Sequence, residues 1–129
     1  MIANIRDKMR QIFKDVSVRG SVAAAGTSIL PVITGQAKYT IYVQRVWVHI
    51  TTDAAQSLTV RDTASTPLVL LVIPASPGTG PQVFEFPDEG FPLTEGKNLD
   101  LVLSAAGLAF NYAIDAYLKP TATRSITEI

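Results

Sequence analysis

Between Lys38 and Thr51 the chain is dense in β-branched and aromatic residues, and its apolar positions keep a period of two that changes phase midway. Tyr39, Ile41 and Val43 are apolar at odd positions, whereas Val46, Val48 and Ile50 are apolar at even ones. Alternate side chains of a strand face one side, so both sets reach the same core only if the strand is interrupted between them. A bulge or bend is therefore expected near Gln44 to Arg45, of the kind that occurs where a strand turns a corner between sheets.

Other strand-sized segments lie between turn clusters rich in Gly, Pro, Asp and Ser. Thr27 to Ile33 is a short first strand. Leu58 and Val60 alternate with Ser57, Thr59 and Arg61, closed by the polar turn Asp62 to Thr66. Pro67 opens the apolar run Leu68 to Ile73, and the Pro- and Gly-rich stretch Pro74 to Pro81 is a loop. Val83 to Phe86 follows, then a long connection from Pro87 to Gly96. Leu99, Leu101 and Leu103 alternate with Asn98, Asp100 and, less cleanly, Val102. Phe110, Tyr112, Ile114, Ala116 and Leu118 share one face of a last strand. Seven or eight strands without helix-length crossovers point to a mainly β protein, an antiparallel β-sandwich or jelly roll, and exclude a parallel α/β fold.

Ahead of these strands, Ile2, Ile5, Met9, Ile12, Phe13 and Val16 recur at spacings of three and four, which predicts a short amphipathic helix over residues 2–16. Its stripe can pack on its own domain, on a neighbouring subunit or, less readily given Asp7 and Asp15, on a membrane surface. From Ser17 to Gly26 the chain is small and polar and reads as a linker or extended arm. The expected organisation is thus a helix and arm over 1–26, a β domain over 27–119 and a loose tail over 120–129.

In a half-wet strand apolar residues alternate with polar ones, but Leu68 to Ile73 is apolar throughout. Its second face must be covered by the amino-terminal helix, a loop or another subunit. Three such side chains represent roughly 5 to 8 kcal/mol of burial, too much to leave in water. Charged residues make up 17% of the 129 residues, against about 25% in an ordinary domain, which also favours contact with other proteins. The residues expected to carry assembly are Ile5, Met9, Ile12 and Phe13 on the helix and Leu68, Leu70 and Val72 on the strand.

Eleven basic and eleven acidic side chains cancel, which removes the positive field that non-specific nucleic-acid binding uses. With no cysteine there is no disulfide framework or thiolate metal site. No apolar stretch approaches the ~20 residues that span a bilayer. Arg6, Lys8, Arg10 and Lys14 break up the start, unlike the apolar core of a secretory signal, so it is expected to be retained.

Chemistry-bearing residues are sparse. His49 is the single histidine, and its spacing puts it beside Trp47 on the face opposite Val48 and Ile50. Asp88, Glu89 and Glu95 share a loop near Asp100, without the ligand spacing of a calcium loop or the fixed separation of glycosidase carboxylates. Gly78-Thr79-Gly80 lacks the helix and lysine of a phosphate loop. Trp47, Tyr39, Tyr42 and Tyr117 can form a sugar-binding platform, although core packing accounts for strand aromatics more simply. The expectation is a binding protein with no enzymatic activity, cofactor or metal.

At Tyr39-Thr40-Ile41-Tyr42-Val43-Gln44-Arg45-Val46, at Val72-Ile73-Pro74-Ala75-Ser76 and above all at Gly90-Phe91-Pro92-Leu93-Thr94-Glu95-Gly96-Lys97-Asn98-Leu99-Asp100, the chain resembles small virion proteins of tailed bacteriophages. The resemblance covers roughly Lys38 to Leu118 and is to the β-sandwich head-decoration or cement class. It implies a dimer or trimer on the capsid surface that staples major capsid protein subunits, soluble in the host cytoplasm before assembly. Many decoration proteins lack an amino-terminal helix, which leaves a neck, tail or baseplate position open. The alternative from another class is a carbohydrate-binding module.

Overall fold

In the computed structural model the residues described are 13–23, 29–51, 57–74, 80–104 and 108–121. They contain strands and turns and, among them, no helix. The strands are β1 (Lys14–Asp15), β2 (Val18–Val22), β3 (Ile29–Ile33), β4 (Tyr39–Ile50), β5 (Ser57–Asp62), β6 (Val69–Pro74), β7 (Gln82–Glu85), β8 (Phe91–Pro92), β9 (Leu99–Leu103) and β10 (Phe110–Pro120).

Two antiparallel sheets result. In the first, β10 and β4 form the centre, β1 and β2 flank β10, and β7 and β8 flank β4; the second has the order β3-β9-β5-β6. Their inner residues form one apolar cluster, with Ile41, Val43, Val46, Val48, Phe110 and Ile114 from the first sheet and Leu58, Val60, Ile73, Leu99 and Leu101 from the second. Period-two alternation supplies these residues from every long strand.

The phase change in β4 is a bulge. Asp115 of β10 pairs with Arg45 and Ala116 with Val43, so Gln44 is the extra residue. Gln44 and Arg45 are both exposed, while Val43 and Val46 on either side are buried. The strand stays within one sheet and does not turn a corner. Both flanking edges break at the same level: β7 pairs with residues 45–48 and β8 with 42–43 on one side, and β2 ends its pairing at Ile114 where β1 begins at Tyr117 on the other. The breaks are bonded across. Phe86 N donates to Gln44 O at 2.9 Å, and Val16 N donates to Ala116 O at 3.1 Å. Ala116 N donates to the Ser17 hydroxyl at 3.2 Å. Gly90, with φ of 101°, closes the turn after β7; a Cβ there would lie 2.6 Å from Val43 O, so only glycine fits against the bulge.

The amino-terminal segment departs from expectation. Residues 2–12 of the predicted helix lie outside the described residues, but Lys14 and Asp15 pair with Leu118 and Tyr117 as a strand, so the helix does not extend to Val16. A sheet edge offers this segment backbone partners on β10, whereas the last turn of a helix leaves its carbonyls unpaired. Part of the predicted linker, Val18–Val22, is likewise a strand on β10. Val18 and Val22 pack against the core, and between them a Cβ on Gly20 would lie within 2.8 to 3.0 Å of the Tyr112 ring. Gly20 is there to admit that ring over the backbone.

Candidate interaction surface

The outer faces of the two sheets differ in chemistry. On the first, register places Arg19, Ala113, Trp47 and Val83 in one cross-strand row, and Asp115, Arg45 and Glu85 in another. The Arg45–Asp115 ion pair closes to 2.7 Å there. This face carries charge and aromatic side chains together with two apolar ones, Ala113 and the 52% exposed Val83.

On the second sheet, Ile29, Val102, Thr59 and Val72 line up across all four strands, and Pro31, Asp100, Arg61 and Val69 form the next outward row. Val72 is 61% exposed, Val69 48%, Ile29 43% and nearby Leu68 37%. Five of the eight residues in the two rows are apolar. β-branched side chains suit a pleated surface, but an apolar strip on the outside of a two-layer protein has the composition of an interface rather than of a solvated face.

At the centre of that face Arg61 and Asp100 are cross-strand neighbours. They attract one another, yet Arg61 Nε and Asp100 Oδ1 are both buried without a hydrogen-bond partner. Burial raises the Asp100 carboxyl above the ordinary aspartate value of 3.8, against the opposing pull of Arg61. Because the folded chain holds this proton more tightly than the unfolded one, the side chain favours folding most below the unfolded value, and that contribution is lost as pH rises through the folded one. Asp100→Asn is therefore expected to gain melting temperature relative to the parent as pH is raised from about 3 to about 7. A gap independent of pH would show that Asp100 titrates normally.

Of the predicted assembly residues, Ile5, Met9 and Ile12 lie outside the described residues. Phe13 sits on the first sheet, stacked on Tyr117 at 5.9 Å between ring centroids. Leu68 ends the turn ahead of β6, while Leu70 and Val72 lie on β6 in the second sheet, with Leu70 partly buried against the core and Val72 outward. The structure thus separates Phe13 from the β6 group. It also adds Val69, from the same apolar run, and Ile29 and Val102, which only the strand order brings beside it.

The aromatic residues divide. Tyr39 and Tyr112 pack on the core, but Tyr42, Tyr117 and Trp47 point outward, so core packing does not account for them. Tyr42 stacks on Tyr117 at 5.4 Å, and Trp47 meets His49 edge-on at 6.4 Å. Lys119 lies over the rings of Phe13 and Tyr42 and pairs with Glu89 at 3.2 Å. Beside this stack is an open groove of about 680 Å³ bordered by Asp15, Asp88, Glu89 and Asp115. Asp15 is held below its ordinary value by the Ser17 hydroxyl and amide. Asp88 and Glu89 stand at this groove while Asp100 is on the other sheet, so the loop carboxylates noted in the sequence do not converge. No group of three or more His, Cys, Asp or Glu side chains could hold a metal among the described residues.

No family model matches the chain, and no curated protein matches it. Among solved structures it is similar to a chain in the atomic structure of Sulfolobus Turreted Icosahedral Virus, with 12% identity and a TM-score of 0.45, over 91% of this chain and 41% of that one. It is also similar to FLHE, with 15% identity and a TM-score of 0.37, over 81% of this chain and 95% of that one. The present chain thus spans less than half the length of the viral chain it resembles.

Proposed function

We propose that this chain is a non-enzymatic structural protein of a virion, a β-sandwich subunit of the decoration or cement class that works by docking. The observation that carries the docking role is the row Ile29, Val102, Thr59 and Val72 on the outer face of the second sheet, apolar at three of its four positions and exposed at both edges. The choice of a tailed-phage particle, with the major capsid protein as partner, rests on the sequence resemblance at Tyr39 to Val46 and Gly90 to Asp100. A neck, tail or baseplate site is the variant reading. In this reading the protein is soluble in the host cytoplasm before assembly and resides on the capsid surface afterwards.

The test is co-sedimentation with shells, necks and tails assembled from structural proteins of the same genome. Wild-type protein is expected to be retained on one of them. Val72→Lys, at an exposed position that leaves the core intact, should weaken retention at least tenfold, equivalent to about 1.4 kcal/mol of lost apolar contact. Retention on none of these assemblies would overturn the reading.

A carbohydrate-binding role is favoured by one observation, the outward Tyr42, Tyr117 and Trp47. The Tyr42 and Tyr117 rings stack on each other, which leaves less free ring face for a sugar. Trp47 fluorescence is expected to stay constant across a glycan panel; a saturable shift abolished in folded Trp47→Ala would promote this alternative.

A further inference from the structure

Edge strands pair readily with other chains, and proteins blunt them with charge, proline or brevity. Among the described residues, three of the four sheet edges are blunted in this way. In the first sheet one flank is split between β1 and β2 and carries Lys14, Asp15 and Arg19; the other is split between β7 and β8 and carries Glu85 and Pro92. In the second sheet β3 has Pro31 at its centre. The fourth edge, β6, reads Val69-Leu70-Leu71-Val72-Ile73-Pro74, without a charge and with its proline last. It pairs with β5 alone among the described residues, so alternate residues turn their N–H and C=O groups away from the sheet. Val72 and Val69 are the most exposed large apolar residues of this sheet, and Leu71 is only partly buried.

We infer that β6 is the acceptor for an extended, uncharged segment of another protein, added to the second sheet as an antiparallel fifth strand rich in β-branched residues. The edge itself selects this occupant. A row of backbone donors and acceptors spaced along a strand is matched by another extended backbone, not by a helix or a folded face. A charge set opposite Val69 or Val72 would lose water without gaining a partner, whereas valine, isoleucine or threonine packs on the pleat. On its other side β6 already shows what fits. There β5 makes five pairs with it, from Ser57↔Pro74 to Arg61↔Val69, and spans the bulge at Leu70. A second copy of β6 fits less well. Directly opposed residues share a face while neighbours in a strand do not, so a two-fold axis must be centred on a residue. Centred on Val72, it opposes Leu71 to Ile73 and then sets the Leu70 bulge against Pro74 at both ends, which leaves three pairs. A foreign strand is free in register and can make the five that β5 makes. Strand addition at this edge goes beyond docking of the outer face, and it needs no particular particle.

The probe is a fluorescein-labelled peptide of alternating threonine and valine, with a lysine at each end for solubility, titrated with the full chain and read by anisotropy. Saturable binding is expected. N-methylating every central amide of the peptide keeps its side chains and removes its donors, and should abolish binding. Val72→Lys places a charge on the edge and should weaken binding about tenfold. Val102→Lys lies in the same outer row but two strands away on β9, and should change it by less than about twofold. The inference is overturned by no binding at the highest soluble concentration, or by binding that N-methylation or Val72→Lys leaves unchanged. A dimer in sedimentation that the peptide dissociates also overturns it, because a second copy would then be the occupant. The N-methyl comparison uses the wild-type chain, so it decides even if Val72→Lys fails to fold. Peptide capture by a chain retained on no viral assembly sinks the virion reading and leaves this one standing; retention without peptide capture does the reverse.

Discussion

Asp62→Ala should cost about 3 to 5 kcal/mol of stability, a large part of what a domain of this size possesses. Asp62 is fully buried, and its carboxylate accepts from Ala64 N at 3.1 Å, Leu68 N at 2.9 Å and Thr94 N at 2.9 Å. The first two amides belong to the turn between β5 and β6 of the second sheet. Thr94 follows β8, and Leu93 N beside it donates to Ile41 O of β4 at 2.9 Å. One side chain therefore ties the two layers, and its removal strands three amides, each worth roughly 1 to 3 kcal/mol when left unpaired in the interior. Asp62→Asn keeps one acceptor oxygen and should lose less than the alanine variant. Burial by itself pushes the Asp62 carboxyl up, but the hydrogen bonds from Thr94, Leu68 and Ala64 outweigh it and hold the group below 3.8. Its contribution is present above the unfolded value and is lost as pH falls through the folded one. Thermal melts should show wild type losing its advantage over Asp62→Asn in acid; an Asp62→Ala variant that melts with wild type would refute the tie.

In the sequence Asp62 is one polar residue at the head of a polar turn, and nothing local distinguishes a carboxylate that caps its own turn from one that also reaches another layer. The same contrast runs through the molecule. Strands whose inward positions all carry apolar side chains were legible: Leu58 and Val60, Leu99 to Leu103, and Phe110 to Leu118 announce themselves by alternation. β2 has the same inward period in Val18, Gly20 and Val22, but its middle inward residue has no side chain. The Tyr112 ring from the next strand fills that gap, and a tertiary substitution of this kind cannot be seen in one segment. β8 is too short to display a period. At the amino terminus, Phe13 and Val16 continue the helical spacing of Ile5, Met9 and Ile12, yet the backbone partners on β10 draw Lys14 and Asp15 into a strand. The interaction surface was legible as the apolar excess of Leu68 to Ile73 and, faintly, as the imperfect alternation at Val102. Its extent depends on the order β3-β9-β5-β6, which sets residues far apart in the chain into one row, and strand order is a property of the fold.

Deletion of Gln44 is expected to leave cooperative folding intact at a cost of about 1 to 3 kcal/mol, whereas Gln44→Ala should stay within about 0.5 kcal/mol of wild type. The glutamine side chain is exposed, so its chemistry matters little; its backbone is the extra residue that the bulge accommodates. Without it, Arg45 still pairs with Asp115 and Val43 with Ala116, now as consecutive residues, and Ile41, Val43, Val46 and Val48 fall into one unbroken alternation on the core face. The loss is local: the Gln44 carbonyl no longer accepts from Phe86 N, and the Gly90 turn, seated against Val43 O, must shift. One amide left unpaired accounts for the cost, which a domain stable by about 5 to 15 kcal/mol can bear. Far-ultraviolet circular dichroism through a thermal ramp gives the answer: loss of the sharp transition in the deletion variant would mean that the bulge does more than absorb one residue, and that the Gln44 carbonyl and the Gly90 turn are needed to hold β7 and β8 on β4.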